Sequence, residues 1–210
     1  AKFKLTSGDH TGAFMVAWTT TPWTLPGNVL LAVHKDLVYS LVTLDGTTYI
    51  VASDLVESAF EGKEGYTVTG NVNGADLIGV SYDPLFPYFA EHPNAFRVVH
   101  GDFVTTEEGT GVVHIAPGFG EDDLDLGKEH GVAPIVHVEM NGHFIDEVEH
   151  ALTEEGYDVK GWAVKNVDDP THVDVEIIKW LAHHDKLFAK KKIKHSYPLC
   201  YRTDCGLMNY

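Results

Sequence analysis

Short runs of apolar and β-branched residues, separated by glycine-rich connections, dominate the first two thirds of this sequence. Such runs indicate strands. Strands are predicted at residues 14–18, 29–33, 38–42, 47–51, 66–72, 77–81, 96–104, 112–115 and 135–138. The Asp45-Gly46 pair between two of them is a strong hairpin signal, because these residue types tolerate the positive φ of a tight turn. Many strands with short connections favour a closed or nearly closed β-barrel.

Helical periodicity is limited to three stretches. A short helix over 54–60 has Ser53 as its expected N-cap, and a second over 121–130 begins with three acidic residues that suit the positive end of a helix dipole. The third, over 173–186, has an apolar stripe that should face the core. We therefore expect an α+β fold, mainly β, in which residues 1–186 form the barrel with a few peripheral helices. Residues 187–210 are expected to form a returning β-hairpin arm of the same domain.

The composition is that of an ordinary globular domain. The chain has 210 residues, of which 44% are hydrophobic, enough for one large domain with a sizeable core. No apolar run is long enough to cross a membrane, no signal segment opens the chain, and cysteines are too few for a disulfide-stapled secreted module. A cytoplasmic protein without a membrane partner is expected. The first residue is Ala rather than Met, as in an excised piece of a longer protein or a processed product, and a fragment is expected.

The charge balance argues against a general affinity for nucleic acid. There are 15 Lys and Arg against 31 Asp and Glu, so the net charge of −16 repels phosphate backbones. A basic cluster near the C-terminus is either a phosphate-contacting strip or a solvated strand face; it comprises Lys186, Lys190, Lys191, Lys192, Lys194, His195 and Arg202. Cys200 and Cys205 are reduced thiols, a small disulfide loop, or two of the four ligands that zinc prefers.

The first candidate site is the threonine loop, residues 18–28, which reads Trp-Thr-Thr-Thr-Pro-Trp-Thr-Leu-Pro-Gly-Asn. Its two prolines fix φ and remove two amide donors, so the segment should leave its strand as a stiff loop with hydroxyls between two indoles. Hydroxyls beside aromatic walls suit a small ligand that is polar and partly apolar. The alternative is a β-edge with a proline-rich turn, in which threonine is simply a good strand residue.

The second candidate site is the glycine segment, residues 109–123, in which a short strand carrying His114 lies between glycines. Glycine lets the backbone approach a ligand closely. Asp122 and Asp123 follow where a helix should begin, and a carboxylate such as Asp123 could pair with a ligand ammonium while the imidazole faces the rest of the ligand. The alternatives are a core histidine with its hydrogen bonds satisfied and acids that only cap the helix. We expect the two segments to line opposite walls of one hollow of amino-acid size.

Together the two segments resemble the aminoacyl-ester editing domain (CP1) inserted in class I aminoacyl-tRNA synthetases, and the isoleucine enzymes most closely. The threonine loop is similar to their editing loop over eleven consecutive residues; the valine and leucine relatives carry Thr-Thr-Arg-Pro, whereas this chain has Thr20-Thr21-Pro22 without the arginine. The Gly-Thr-Gly-x-Val-His-x-Ala-Pro-Gly-x-Gly-x-Asp-Asp pattern is equally characteristic. Tyr-Asp-Pro-Leu-Phe at 82–86 and Tyr-Pro-x-Cys-x-Arg at 197–202 also fit, so the resemblance spans essentially the whole chain.

The resemblance implies proofreading rather than synthesis. The nucleotide-binding signatures of a synthetase, of the His-Ile-Gly-His and Lys-Met-Ser-Lys-Ser types, are absent from this sequence, as is a Walker-type loop. The chain should therefore not activate amino acids. It is expected to remove valine wrongly attached to the 3′ end of tRNA(Ile), with valyl-adenylate as a further substrate, as part of a parent synthetase and without a cofactor or metal.

The resemblance also implies roles for individual residues. The expected catalytic residues are Thr20, Thr21, His114 and Asp123. The expected substrate-binding residues are Thr19, Thr20, Thr21, Trp23, Asn28, His114 and Asp123. Asp123 would bind the α-ammonium and His114 would exclude the larger isoleucine side chain. The threonines would hydrogen-bond the terminal adenosine, the carbonyl or the attacking water, Trp23 would pack against the ligand, and Asn28 would brace the loop.

Three alternatives stay open at this point. His114 could act as a general base, since an imidazole pKa near neutrality permits that role. The chain could be a non-catalytic binding module for the aminoacylated tRNA 3′ end. It could also be a metal-dependent hydrolase using some of its 13 histidines, although no His-x-x-x-His helix is present and the adjacent His183 and His184 point to different faces of a helix.

Overall fold

The computed structural model describes residues 1–191 and shows a mixed fold of strands and helices. The strands are β1 (Lys2–Lys4), β2 (Phe14–Val16), β3 (Leu30–Val33), β4 (Val38–Leu44), β5 (Thr47–Ala52), β6 (Thr67–Asn73), β7 (Arg97–His100) and β8 (Val113–Ile115). The α-helices are α1 (Val56–Ala59), α2 (Gly74–Leu77), α3 (Glu121–Glu129), α4 (Asp146–Glu154) and α5 (His172–His183). Two 3-10 helices lie at Pro22–Gly27 and Ser53–Leu55. The prediction of an α+β fold built mainly on sheet is confirmed.

The described strands form two sheets. One has five strands in the order β1-β2-β5-β4-β6, and the other has three in the order β7-β3-β8. β4 and β5 form the predicted hairpin, with Asp45 and Gly46 at φ values of 50° and 76°. β3 is the centre of the smaller sheet, parallel to β7 and antiparallel to β8, so that it connects the glycine segment to the rest of the fold.

Single bridges join the two sheets at their edges. Trp18, just beyond β2, pairs with Val113 in β8, while Leu5, just beyond β1, pairs with Tyr82 next to a second bridge from Ser81 to β7. Regular ladders do not close into a barrel among residues 1–191, so the closed barrel stays a prediction. The bridge at Trp18 has a functional consequence, because it brings the start of the threonine loop beside the strand that carries His114.

The core lies largely between the sheets and the C-terminal helices. α5 buries Val173, Ile177, Trp180 and Leu181 in the main cluster, which confirms that its predicted apolar stripe faces the core. None of the described helices has the length and apolar character needed to cross a membrane.

Some predicted elements differ from the observed ones. The strand predicted over 77–81 is wrong, because Leu77 is the last residue of α2 and the rest of the stretch contributes only a single bridge at Ser81. The strand predicted over 135–138 is reduced to one bridge from Val138 to Phe144. Ser53 is not the predicted N-cap of a helix over 54–60; it is the first residue of a 3-10 helix and its hydroxyl lies 2.8 Å from that of Ser40.

The structure also contains a helix that the pattern did not predict. α4 buries only Val148 and Leu152 and is otherwise rich in charged residues, which left little apolar periodicity to detect. Most of the predicted arm over 187–210, including its motif and both cysteines, lies outside the described residues.

Candidate active site

The threonine loop leaves β2 and turns at once into a 3-10 helix. Thr21 is the residue before this helix, Pro22 opens it, and Trp23 to Gly27 are buried. The Thr21 carbonyl accepts two hydrogen bonds from Thr24, from the backbone N–H at 3.0 Å and from the hydroxyl at 2.9 Å. Proline at the first position suits such a turn, because its fixed φ is compatible with the helix and its missing N–H would have no helical partner there.

The half-buried part of the loop carries the three candidate hydroxyls. The Thr19 hydroxyl accepts a hydrogen bond from the Thr21 N–H at 3.0 Å, and the two hydroxyls lie 3.3 Å apart. Thr20 lies between them and is also half-buried. The loop therefore carries three adjacent threonine hydroxyls that are half-buried, two of them held close together by local hydrogen bonds.

Trp23 anchors the loop through both of its backbone groups. Its N–H donates to Asp174 Oδ1 at 3.0 Å, and its carbonyl accepts from His137 Nε2 at 2.9 Å. Asp174 in turn pairs with Lys165 at 2.7 Å, with both side chains only about a tenth exposed. The indole is 4% exposed and packs edge-on against Phe119 of the glycine segment, with ring centroids 5.1 Å apart. Packing of Trp23 against a ligand therefore stays a prediction, whereas its contact with the second segment is observed.

Asn28 ends the loop in a buried position. Its Oδ1 accepts the Tyr82 hydroxyl at 2.8 Å, and its Nδ2 donates to the Leu30 carbonyl at 3.0 Å. These bonds attach the end of the loop to β3 and to the motif at 82–86, so Asn28 is in a position to brace the loop. Contact between Asn28 and substrate stays a prediction.

His114 connects the two candidate segments directly. Its side chain is 8% exposed, and its Nε2 lies 3.1 Å from the Thr24 hydroxyl oxygen. Because Thr24 already donates its single hydroxyl proton to the Thr21 carbonyl, the oxygen must accept from His114, so Nε2 carries the imidazole proton. Burial lowers the pKa of His114 to about 4, so the ring is neutral at pH 7.

Asp123 lies in the first turn of α3 and is half-buried. Its Oδ2 accepts a hydrogen bond from the Ala116 N–H at 2.9 Å, which ties the helix to the end of β8. Burial raises the pKa of Asp123, and no ion pair to it is found within residues 1–191. When a carboxylate is partly withdrawn from water and lacks a cationic partner, a bound ammonium group strongly stabilises its ionised form.

The structure brings the two segments together, but in contact rather than across an open hollow. Thr24 and His114 meet by hydrogen bond, and Gly109, at φ 82°, packs so closely on Trp18 that a Cβ there would lie 1.9 Å from the indole nitrogen. Two surface clefts of about 420 and 580 Å³ lie beside His10, and neither is lined by the threonine loop or the glycine segment. The shared hollow stays a prediction.

Comparison with known proteins finds relatives that match all or nearly all of this chain. Isoleucine–tRNA ligase of Clostridium tetani is 40% identical over 209 residues, covering 100% of this chain and 18% of that protein. The enzyme of Treponema denticola is 43% identical over 213 residues, covering 93% of this chain and 18% of that protein. The chain is homologous to one segment of the isoleucine–tRNA ligases. It spans about 18% of the length of the curated relatives that it matches, and no family model matches it.

The fold of the chain is similar to that of CP1. The crystal structure of GlLeuRS-CP1 superposes with a TM-score of 0.64 at 16% identity, covering 89% of this chain and 87% of that one. The resemblance that the motifs indicated is thereby confirmed, because the sequence matches isoleucine–tRNA ligases and the fold matches CP1.

Three residues support the candidate site although they were not predicted from the sequence. They are Thr24, His137 and Asp174. Thr24 stood in the loop motif and could have been found there. His137 lies in an apolar stretch with no sign of its bond to Trp23, and Asp174 has the appearance of an ordinary acid at the start of a helix.

Acidification is expected to destabilise this segment through two buried imidazoles. Burial lowers the pKa values of His114 and His137 from 6.5 to about 4. Between these values the unfolded chain binds protons that the folded chain does not, so the two rings should lower the free energy of unfolding as the pH drops from 6.5 to about 4 and add no further change below. The raised pKa of Asp123 acts in the opposite direction, because the folded state takes up that proton more readily.

Urea unfolding across this pH window measures how steeply the free energy of unfolding changes with pH. Replacing His137 by Gln should make this change less steep, because one of the two titrating imidazoles is removed. An equal change of the free energy of unfolding with pH in His137→Gln and the parent would contradict the buried neutral state of His137.

Proposed function

We propose that this chain hydrolyses the ester between valine and tRNA(Ile), with valyl-adenylate as a second substrate. The observation that carries the proposal is the hydrogen bond between Thr24 and His114. Together with the Trp18–Val113 bridge and the packing of Trp23 on Phe119, it holds the threonine loop beside the glycine segment. This would bring hydroxyls, a neutral imidazole and a half-buried carboxylate to one region of the fold.

Substrate recognition would begin at Asp123. An aminoacyl ester carries a free α-ammonium at neutral pH, and the half-buried carboxylate has no cationic partner within the described chain. Burial disfavours the ionised form of this carboxylate, as its raised pKa indicates. Binding of the ammonium group would therefore stabilise the ionised form by creating an ion pair. A carboxylate in the first turn of α3 is also fixed in direction by its bond to the Ala116 N–H.

The hydroxyls of Thr19, Thr20 and Thr21 would position the carbonyl, the terminal adenosine or the attacking water. A water oxygen adds to the ester carbonyl, the bond from that carbon to the ribose oxygen breaks, and the ribose oxygen leaves with a proton. The products are free valine and a tRNA with its terminal hydroxyl restored. We assign no covalent intermediate, and a neighbouring ribose hydroxyl of the tRNA would assist the water.

His114 is better suited to shaping the pocket than to accepting the proton. Its Nε2 proton is committed to Thr24, and its low pKa makes it a weak base at neutral pH. The same hydrogen bond keeps the ring in one orientation, and a rigid wall in a close-packed pocket rejects an added methyl group because there is no room for it without strain. Valine would fit and isoleucine would not.

The rest of the synthetase would be the main partner. The net charge of −16 disfavours unaided binding to a tRNA backbone, so the parent enzyme would deliver the acceptor end. The arm predicted over 187–210 would return the chain to that enzyme. The reaction would take place in the cytoplasm, where tRNA is aminoacylated.

Deacylation by the chain itself tests the proposal. Valyl-tRNA(Ile) and isoleucyl-tRNA(Ile) are incubated with the purified chain, and release of the amino acid is followed with and without EDTA. We expect valine to be released, isoleucine to be retained, and EDTA to have no effect on the rate. Tight binding of valyl-tRNA(Ile) without any release would instead support a non-catalytic binding module, and loss of activity with EDTA would support a metal-dependent hydrolase.

A further inference from the structure

A second cluster of polar side chains lies outside the candidate active site, where β3 and β7 end. These strands are parallel, with Val33 opposite His100. His34 follows β3 directly, and Asp102 lies two residues beyond the end of β7. One possible ligand atom from each of His34, His100 and Asp102 lies within 4.8 Å of the other two.

The three side chains are held in place yet reachable from solvent. His100 Nε2 lies 2.9 Å from Asp102 Oδ1, and the His34 and His100 rings meet edge-to-face with centroids 5.1 Å apart. Both imidazoles are 24% exposed, while Asp102 is 91% exposed. Two partly buried rings fixed by adjacent strands, with one exposed carboxylate beside them, leave a route by which an ion can enter.

The backbone around His100 provides the support that a metal-binding histidine requires. Its Nδ1 lies 3.3 Å from the Val33 carbonyl and 3.3 Å from the Lys35 N–H. If Nε2 keeps the proton for Asp102, Nδ1 accepts from Lys35. If Nε2 binds a metal, the proton moves to Nδ1 and is donated to the Val33 carbonyl. Metal-bound histidines commonly donate their other ring N–H to a carbonyl or carboxylate in this way.

We propose that His34, His100 and Asp102 bind a divalent transition-metal ion of the Zn²⁺ type. Two imidazoles and one carboxylate suit Zn²⁺ or Co²⁺, with water completing the coordination, whereas Mg²⁺ and Ca²⁺ prefer sets of oxygen ligands. The Asp36 carboxylate, 4.0 Å from His34 Nδ1, adds negative charge beside the site. The bound ion links the ends of two strands that are far apart in the sequence.

The side chain of Tyr39 links the proposed metal site to the glycine segment through two hydrogen bonds. The buried Tyr39 hydroxyl accepts from the His34 N–H at 3.0 Å and donates to the Gly111 carbonyl at 2.8 Å. An ion at His34 therefore stabilises the backbone that leads into β8, without contacting the groups proposed for hydrolysis.

Metal titration of the chain with Cys200→Ser and Cys205→Ser tests the site without interference from thiols. We expect Zn²⁺ to raise the Tm, Mg²⁺ to leave it unchanged, and Co²⁺ to give visible absorption bands of a low-symmetry site. His100→Ala and His34→Ala should each weaken Zn²⁺ binding by at least about tenfold, since losing even an outer partner of a metal ligand typically costs that much.

The matched control is His150→Ala, which removes an exposed histidine paired with Glu154 on α4. It should bind Zn²⁺ as the parent does. An equal Tm response in His100→Ala and the parent, or no Tm shift and no Co²⁺ bands in the parent, overturns the proposal. Neither outcome bears on the deacylation assay, whose expected rate does not change with EDTA.

Discussion

Asp123→Asn is expected to slow valyl-ester hydrolysis strongly while the fold is retained. Losing one partner of a desolvated charge pair costs about 2–5 kcal/mol, which corresponds to a fall in kcat/KM of about 30- to 5,000-fold. Asparagine keeps an acceptor oxygen for the Ala116 N–H, so the substitution removes the charge without removing the hydrogen bond that ties α3 to β8. Steady-state deacylation of valyl-tRNA(Ile), measured beside circular dichroism, gives the two readouts.

Glu121→Gln is the matched control, because it removes an exposed charge from the same helical turn. It should leave kcat/KM unchanged. The stability of Asp123→Asn at pH 7 should equal or exceed that of the parent, because the burial that raises the pKa of Asp123 also disfavours its ionised form. Full activity in Asp123→Asn would refute the assignment of this carboxylate to the α-ammonium.

His114→Ala is expected to let isoleucyl esters be cleaved while valyl hydrolysis largely persists. Removing the ring opens space beside Thr24, where the larger side chain could then fit. Discrimination between valyl and isoleucyl esters should fall by about 10- to 200-fold, the range for one methylene in an apolar pocket, which was itself established on isoleucine–tRNA ligases. The measurement is the ratio of kcat/KM values for the two esters.

His137→Ala provides the comparison for His114→Ala. It removes another buried imidazole of the same size, but one that bonds the Trp23 carbonyl rather than Thr24. Both hydrolysis rates should fall together in this variant, with their ratio preserved. If instead His114→Ala loses nearly all valyl hydrolysis in a folded protein, the imidazole acts as the proton acceptor and the steric role is wrong.

Several elements of the fold could be predicted because their sequence signals are local. The hairpin around Asp45 and Gly46, the acidic start of α3 and the apolar stripe of α5 each depend on a few neighbouring residues, and all three are confirmed. The strand over 135–138 failed for the opposite reason. Ile135, His137 and Val138 are buried by packing while Val136 is 42% exposed, and this burial, with His137 bonded to the Trp23 carbonyl, resembles the alternation that a ladder would produce.

The site was only partly predictable, since its support is non-local. The threonine and glycine segments were found from their composition and motif, but the bond between Thr24 and His114 depends on the pairing of β8 with β3. The burial that lowers the pKa of His114 depends on the whole core. No pattern within residues 18–28 indicates that Asp174, on a helix near the other end of the described chain, accepts the Trp23 N–H.

That last contact sets a lower limit on the size of a shortened chain in which the threonine loop keeps its shape. A protein engineer who trimmed the chain to its strands would stop before His172 and keep both sheets. Such a product would lose the carboxylate that receives the Trp23 amide, together with its ion pair to Lys165. Miniaturised versions must therefore retain α5 or graft an equivalent acceptor, because the loop proposed to perform the chemistry takes its shape from a helix that belongs to neither sheet.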